Sequence, residues 1–193
     1  MDYARMRETA EELAKHAPDP FIGYEIVGDQ IVMMMSPGRP HELIAWTVRE
    51  QLAEQLRGSE PRLVAHTGGE IEDPSIGRLR RPDLIVVPYD IFAEQTMAPF
   101  SPHDISLVAE IVSPSNHTND YLDKMAEYPA MGLPLYLLID PRKGTIAMLS
   151  DPGHGPGGPR YRTRTDYVFG DMVTIGPWTL DTTTFRPYPD GVR

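Results

Sequence analysis

Two carboxylates stand where the chain otherwise reads as buried strand. Asp83 follows Pro82 at the head of the apolar run Leu84–Val87, and Glu110 interrupts the run Ile105–Val112. They are 27 positions apart. A buried, unpaired carboxylate is costly, so each needs a compensating partner. If the two strands lie side by side, both side chains converge and can share a divalent cation. Oxygen ligands suit Mg²⁺ or Mn²⁺; zinc would call for a His or Cys cluster that is not evident. The plainer alternative has Asp83 ending its strand and Glu110 pairing with a nearby Arg or Lys. No other ionisable residue breaks Ile105–Val112, which favours a chemical role for Glu110.

Other residues are weighed the same way. Lys124 lies 14 residues after Glu110, on a helix predicted over Asn119–Met131. From there it either reaches back to the strand end, to stabilise a pentacovalent phosphate or orient water, or is a solvent-facing charge. His41, at the start of a long helix, contacts metal or substrate, or else is a cap or surface residue. Arg78, Arg80 and Arg81 form the one dense basic cluster. They touch phosphates, or balance Asp83 and its acidic neighbours. Ser113 and Ser115 lie in no nucleophile elbow and shape a turn instead. Gly153, Gly155, Gly157 and Gly158 make no phosphate loop, because no Lys-Ser/Thr follows.

The elements that must position these groups follow from periodicity. Residues 2–16 read as a helix ended by Pro18 and Pro20. Gly23–Val27 and Gln30–Met35 form a hairpin across Gly28-Asp29. His41–Leu56 is a helix with Leu43, Ile44, Val48, Leu52, Ala53 and Leu56 on one stripe. Leu63–Thr67 is a strand, and Ser75–Arg80 reads as a polar loop. Leu84–Val87, Ile105–Val112 and Leu135–Ile139 are buried strands. Between the last two, Ser113–Asn116 turns into the helix Asn119–Met131, with Leu122, Met125 and Ala126 as its apolar side and Pro129 shortening or bending it. Thr145–Leu149 is a further strand, Asp151–Arg160 a mobile Gly/Pro-rich loop, and Met172–Ile175 and Trp178–Leu180 short strands. The fold class is α/β with a mixed sheet flanked by helices.

The 193 residues suit one domain, with an N-terminal helix within residues 1–20 and a flexible tail over 186–193. Cysteine is absent, which excludes disulfides and thiolate metal sites. Acidic residues in the first fifteen argue against a signal peptide. No apolar stretch approaches a membrane span. A cytoplasmic protein is the expectation. The net charge of −10 repels DNA at long range without excluding a local basic patch.

As a composite, these residues resemble a known family. Arg81-Pro82-Asp83 opens a hydrophobic strand; Glu110-Ile111-Val112-Ser113-Pro114-Ser115 follows, then Asp120, Lys124 and Tyr128, Gly132–Tyr136, and Leu138-Ile139-Asp140-Pro141. Tyr24–Val32 resembles the family's opening hairpin, and Ser36-Pro37 before His41 its long helix. The resemblance is to the bacterial family catalogued as putative restriction endonucleases, within the PD-(D/E)XK nuclease superfamily, and covers about Gly23 to Leu149. It implies a restriction-endonuclease-like core with Asp83 and Glu110 as the motif carboxylates. They would bind Mg²⁺ (or Mn²⁺), with Ile111 lending its backbone carbonyl. The superfamily lysine two residues after the glutamate is Val112 here, and Lys124 matches the family's lysine in the following helix. Glu25, His41 and Tyr128 match accessory positions. Leu135 and Leu137 replace a glutamate and a tryptophan common in the family.

The resemblance implies a metal-dependent endonuclease acting on DNA as a homodimer. Two rivals remain: a non-catalytic binding or scaffold protein that keeps the fold, and a metal-dependent hydrolase of RNA or nucleotides.

Overall fold

The computed structural model describes residues 2–113 and 119–189. Helix α1 (Tyr3–Ala14) leads into the hairpin β1 (Phe21–Val27) and β2 (Gln30–Met35), then α2 (Arg39–Ser59). Strands β3 (Leu63–His66), β4 (Ile71–Asp73), β5 (Arg78–Arg80) and β6 (Leu84–Pro88) follow, then the short α3 (Tyr89–Phe92) and β7 (Leu107–Ile111). A π-turn at Asn119–Asp123 leads directly into α4 (Lys124–Ala130). Strands β8 (Leu135–Asp140), β9 (Thr145–Gly155), β10 (Gly158–Val168), β11 (Met172–Ile175) and β12 (Trp178–Asp181) complete the order.

The central sheet has six strands in the order β10-β9-β8-β7-β6-β3. Among the described strands of this sheet only β7 and β8 run parallel, and the intervening crossover carries α4. Both faces are covered, which is why β6, β7 and β8 are near-continuous apolar runs. One face packs on α2 and the β11–β12 ribbon through Val48, Leu52, Leu137, Ile139 and Trp178. The other packs on α4 through Val108, Tyr128, Tyr136 and Leu138. A second sheet, β2-β1-β5-β4, is wholly antiparallel and carries α1 on Met6, Ala10, Ile26 and Leu79. The α/β class with a mixed, helix-flanked sheet is therefore what the molecule has.

Several local expectations differ from the structure. The stripe of α2 is Ile44, Ala45, Val48, Leu52 and Leu56; Leu43 lies outside it, 61% exposed. Ser75–Arg80 is not wholly loop, because β5 at its end pairs with both β1 and β4. Asp151–Arg160 is largely strand: β9 and β10 pair through Gly155 opposite Gly158. Its glycines leave space for the partner strand's arginines, since a Cβ on Gly153 would lie 2.6 Å from Arg162 and one on Gly155 2.5 Å from Arg160. Pro129 is accommodated inside α4, which ends one residue later. The inward side of α4 is Lys124, Glu127 and Tyr128, whereas Leu122 just before it is 65% exposed. The tail is docked as far as Tyr188, whose N–H donates to the Pro141 carbonyl at 2.9 Å, and residues 190–193 lie outside the described residues. The turn at Ser113–Asn116 also falls mostly outside them.

Leu137, fully buried between the sheet and α2, tests the central packing. Leu137→Ala is expected to cost about 2–5 kcal/mol. Urea denaturation should show a lower midpoint with an unchanged slope.

Candidate active site

The site begins where the β6–β7 ladder stops. Leu84 lies opposite Ala109 and Ile85 opposite Val108. The paired register ends there; continued by one step it would set Asp83 opposite Glu110, and by two Pro82 opposite Ile111. Directly opposed residues of an antiparallel pair share a face, with Cβ atoms about 4.5–5.5 Å apart. The spacing of 27 thus becomes adjacency. Proline has no N–H, so Pro82 cannot donate to the Ile111 carbonyl. The Ile111 N–H donates to Asp83 Oδ2, at 2.7 Å. The freed carbonyl meets His41 Nε2 at 3.0 Å.

His41 reaches this point because α2 starts there. Pro40 occupies its first turn, a position that needs no N–H. The imidazole is buried, with Nε2 also 3.2 Å from Asp83 Oδ2. Burial would push its pKa down, but the hydrogen bond and charge of Asp83 outweigh this and raise it. Its Nδ1 is buried with no hydrogen-bond partner among the described residues.

Glu110 is held from the other side. Lys124 Nζ lies 2.7 Å from Glu110 Oε1, and the Tyr128 hydroxyl donates to the same oxygen. Lys124 and Tyr128 are one turn apart on α4 and so share a face. Burial, then the charges of Glu110 and Glu25, hold the Tyr128 phenol well above its usual pKa, so it stays a donor.

Behind this pair lies a run of buried charge that ties the two sheets together. Arg80 on β5 is fully buried, 2.8 Å from Glu25 Oε2 on β1 and 2.5 Å from Glu127 Oε2 on α4. Arg78 Nε donates to Glu127 Oε1 at 2.5 Å. Glu25 Oε1 accepts the Arg81 N–H at 3.1 Å and lies 3.9 Å from Lys124 Nζ. Three carboxylates (Glu25, Glu110, Glu127) meet three cations (Arg78, Arg80, Lys124). Burial would push Glu25 up, but Lys124, Arg80 and the Arg81 N–H outweigh it and hold the carboxyl below its usual range.

The structure therefore gathers Asp83, His41 and Ile111 at one point, and Glu110, Lys124, Tyr128 and Glu25 beside it. Arg80 is corrected: with no exposed surface it cannot be a nucleic-acid contact, and its partners are Glu25 and Glu127. Arg78 is spent largely on Glu127 and on the carbonyls of Ile76 and Gly77. Arg81 pairs with Glu70 at 3.1 Å. The side chain of Asp120 lies outside the description. Sequence reasoning missed Glu127, although its place between Lys124 and Tyr128, on one helical face with both, was a usable signal. Asp140, quoted in the sequence pattern without a role, accepts from Tyr121 at 2.8 Å and from Arg142 and so ties the π-turn to the end of β8. Among the described residues, no three His, Cys, Asp or Glu side chains cluster as a metal cage.

A mixed sheet whose central strands end in an acid pair, faced by a helix lysine, defines a restriction-endonuclease-like, nuclease-type architecture. The chain belongs to the Uma2 family, described as "Putative restriction endonuclease", which it matches over residues 10–182. Among solved structures it is similar to "a putative nuclease belonging to DUF820 from Anabaena variabilis ATCC 29413", with a TM-score of 0.64 and 14% identity over 84% of this chain and 89% of that one. At that identity the likeness is one of fold. No curated protein matches the chain.

Removing Arg80 would leave two buried carboxylates short of a partner. Arg80→Ala is expected to cost about 3–5 kcal/mol in chemical denaturation. Glu25 contributes stability that is present above its unfolded pKa of about 4.3 and lost as pH falls through its lower folded value. The stability gap between wild type and Glu25→Gln should therefore narrow in thermal melts as pH falls below about 4.

Proposed function

We propose that this protein is a metal-dependent endonuclease that hydrolyses DNA phosphodiester bonds, with Mg²⁺ or Mn²⁺ held by Asp83, Glu110 and the Ile111 carbonyl. The observation that carries the reading is the buried contact between Lys124 and Glu110 at 2.7 Å. A lysine at position 112 would stand two residues beyond Glu110, on the same side of the strand. Val112 occupies that place, fully buried, and α4 delivers Lys124 to Glu110 through space.

The residues suit a hard divalent cation. The donors are carboxylate and carbonyl oxygens, and Pro82 leaves the Ile111 carbonyl without a strand partner on that side. The shortage of a third acidic side chain fits Mg²⁺, which is commonly bound by one or two carboxylates, with water and substrate phosphate completing its shell. When bound, such an ion lowers the pKa of a coordinated water and polarises the scissile phosphate.

The chain's own groups divide the remaining work. The Ile111 N–H fixes the Asp83 carboxylate, and His41 Nε2 steadies both Asp83 and the Ile111 carbonyl. Tyr128 donates to Glu110 and holds its orientation. Lys124 offers a fixed positive charge where negative charge develops on the phosphate. Glu25 lies behind Lys124 and helps keep it in place. Cutting both strands of a duplex needs two such sites, and a symmetric homodimer in the cytoplasm supplies them.

The net charge of −10 favours the rival reading, a scaffold that keeps the fold without chemistry. Cleavage of supercoiled plasmid and of single-stranded DNA, with Mg²⁺ or Mn²⁺, separates the two. Wild type should cut only with the metal, and Asp83→Ala, Glu110→Ala and Lys124→Ala should each lose about 10²-fold or more while remaining folded. Cleavage untouched by the three substitutions would refute the site. No cleavage under any condition would point to the scaffold or to a different substrate.

A further inference from the structure

A cleft of about 190 Å³ opens beside Asp83. Ile22 and Met34 of the first hairpin and Ala45 of α2 form apolar walls; His41, Glu42, Arg81 and Asp83 supply the ionisable groups, and Ser36 and Thr67 the neutral polar ones, so Arg81 is the one arginine or lysine in a lining that also holds two carboxylates. Arg81 and Asp83 thus face one space.

Arg81 is held more firmly than a surface arginine usually is. Its Nη1 lies 3.1 Å from Glu70 Oε1, with the side chain 25% exposed. The guanidinium passes between two glycines. A Cβ on Gly23 would lie 3.1 Å from Arg81 Cδ, and one on Gly68 3.2 Å from Nη2. Gly68 has φ +78°, a conformation that suits glycine. A side chain at either position would crowd the arginine. Neither Arg78 nor Arg80 lines this cleft.

We propose that Arg81 binds a phosphate of the substrate chain adjacent to the one being cleaved, and that the cleft is a one-nucleotide subsite. This rests on the nuclease reading above and names how that site grips its substrate. A planar guanidinium offers five N–H donors in a fork that fits phosphate oxygens. Glu70 sets the orientation and leaves the rest of the fork to the cleft. The volume lies below the roughly 300–1,000 Å³ of pockets that enclose whole small-molecule ligands. It suits one sugar-phosphate unit of a longer chain. Because the protein as a whole is acidic, one fixed cation beside the acid pair carries more of the grip than it would on a basic surface.

The test measures binding apart from cleavage. A short fluorescent single-stranded DNA, with Ca²⁺ replacing Mg²⁺, is titrated across a range of salt, and plasmid cleavage in Mg²⁺ is measured in parallel. Arg81→Ala should weaken binding about tenfold or more. Its log–log salt slope should be shallower by about 0.7, the loss of one phosphate contact on a single strand. Arg81→Lys should recover part of the affinity, because the charge returns without the fork. Glu70→Gln should bind at least as tightly as wild type, whereas a purely structural Arg81–Glu70 pair would make it destabilising with no effect on the slope. Should Arg81→Ala not fold, Met34→Glu sets a carboxylate in the cleft wall and should weaken binding with a folded protein; unchanged binding there overturns the subsite. If Arg81→Ala binds with the wild-type slope while Asp83→Ala abolishes cleavage, the subsite is wrong and the nuclease reading stands. If wild type neither binds nor cuts, both fall together.

Discussion

Arg80 is a charge with no access to water, and much of the architecture is organised around that fact. A guanidinium buried without partners would cost several kcal/mol. Its partners come from two other places in the chain, Glu25 on β1 and Glu127 on α4. Satisfying Arg80 therefore fixes the small sheet against the helix that crosses between β7 and β8. The same helix face presents Lys124 and Tyr128 to Glu110. Ionic contacts so specific in direction tolerate little sliding between layers, which apolar packing alone would resist less. The site inherits its geometry from a structural charge one layer behind it.

At the strand ends a smaller constraint operates. Pro82 removes one donor from the β6–β7 ladder, and the backbone opens by one step. Asp83 turns its side chain to the Ile111 N–H, giving it a carboxylate partner. His41 answers the orphaned carbonyl. The proline leaves the Ile111 carbonyl open to a side chain, and His41 in the first turn of α2 reaches it. The motif aspartate is thus anchored by main chain and imidazole together, not by a single ion pair.

Much of the fold was legible because its strands are apolar and its turns punctuated. Leu84–Val87 and Leu135–Ile139 read as buried strands and lie at the centre of the sheet. The misreadings have physical causes. Glycine in Asp151–Arg160 looked like loop, yet there it makes room for Arg160 and Arg162 lying across from the partner strand. Arg78–Arg80 looked solvated because arginines usually are, and no local feature shows that Glu25 and Glu127 will arrive from 55 and 47 positions away. For the helix before β8 the expected apolar side is Leu122, Met125 and Ala126; Met125 does pack partly on the core, but the buried face is Lys124, Glu127 and Tyr128. That failure is informative. A helix that turns its polar residues inward breaks the amphipathic rule, and such breaks gather at functional or strained places. Asp83, Glu110 and Lys124 were legible as candidates, but only the structure shows that Lys124 reaches Glu110 and that Asp83 turns to the Ile111 N–H and His41.

A lysine supplied by the helix, and not by the strand, has a consequence for how its contact with Glu110 is maintained. A lysine at position 112 would be aimed by the pleat of β7 alone. Lys124 is aimed by α4, whose position depends on Glu127 meeting Arg80 and on Tyr121 meeting Asp140. The π-turn at Asn119–Asp123 immediately precedes Lys124. Any change that loosens these supports moves the cation without touching the carboxylates. Cation and acid pair are thus coupled through the fold and not through the strand. The exchange leaves Val112 apolar and fully buried, so the end of β7 stays packed in the core while its charge partner is supplied from the layer above.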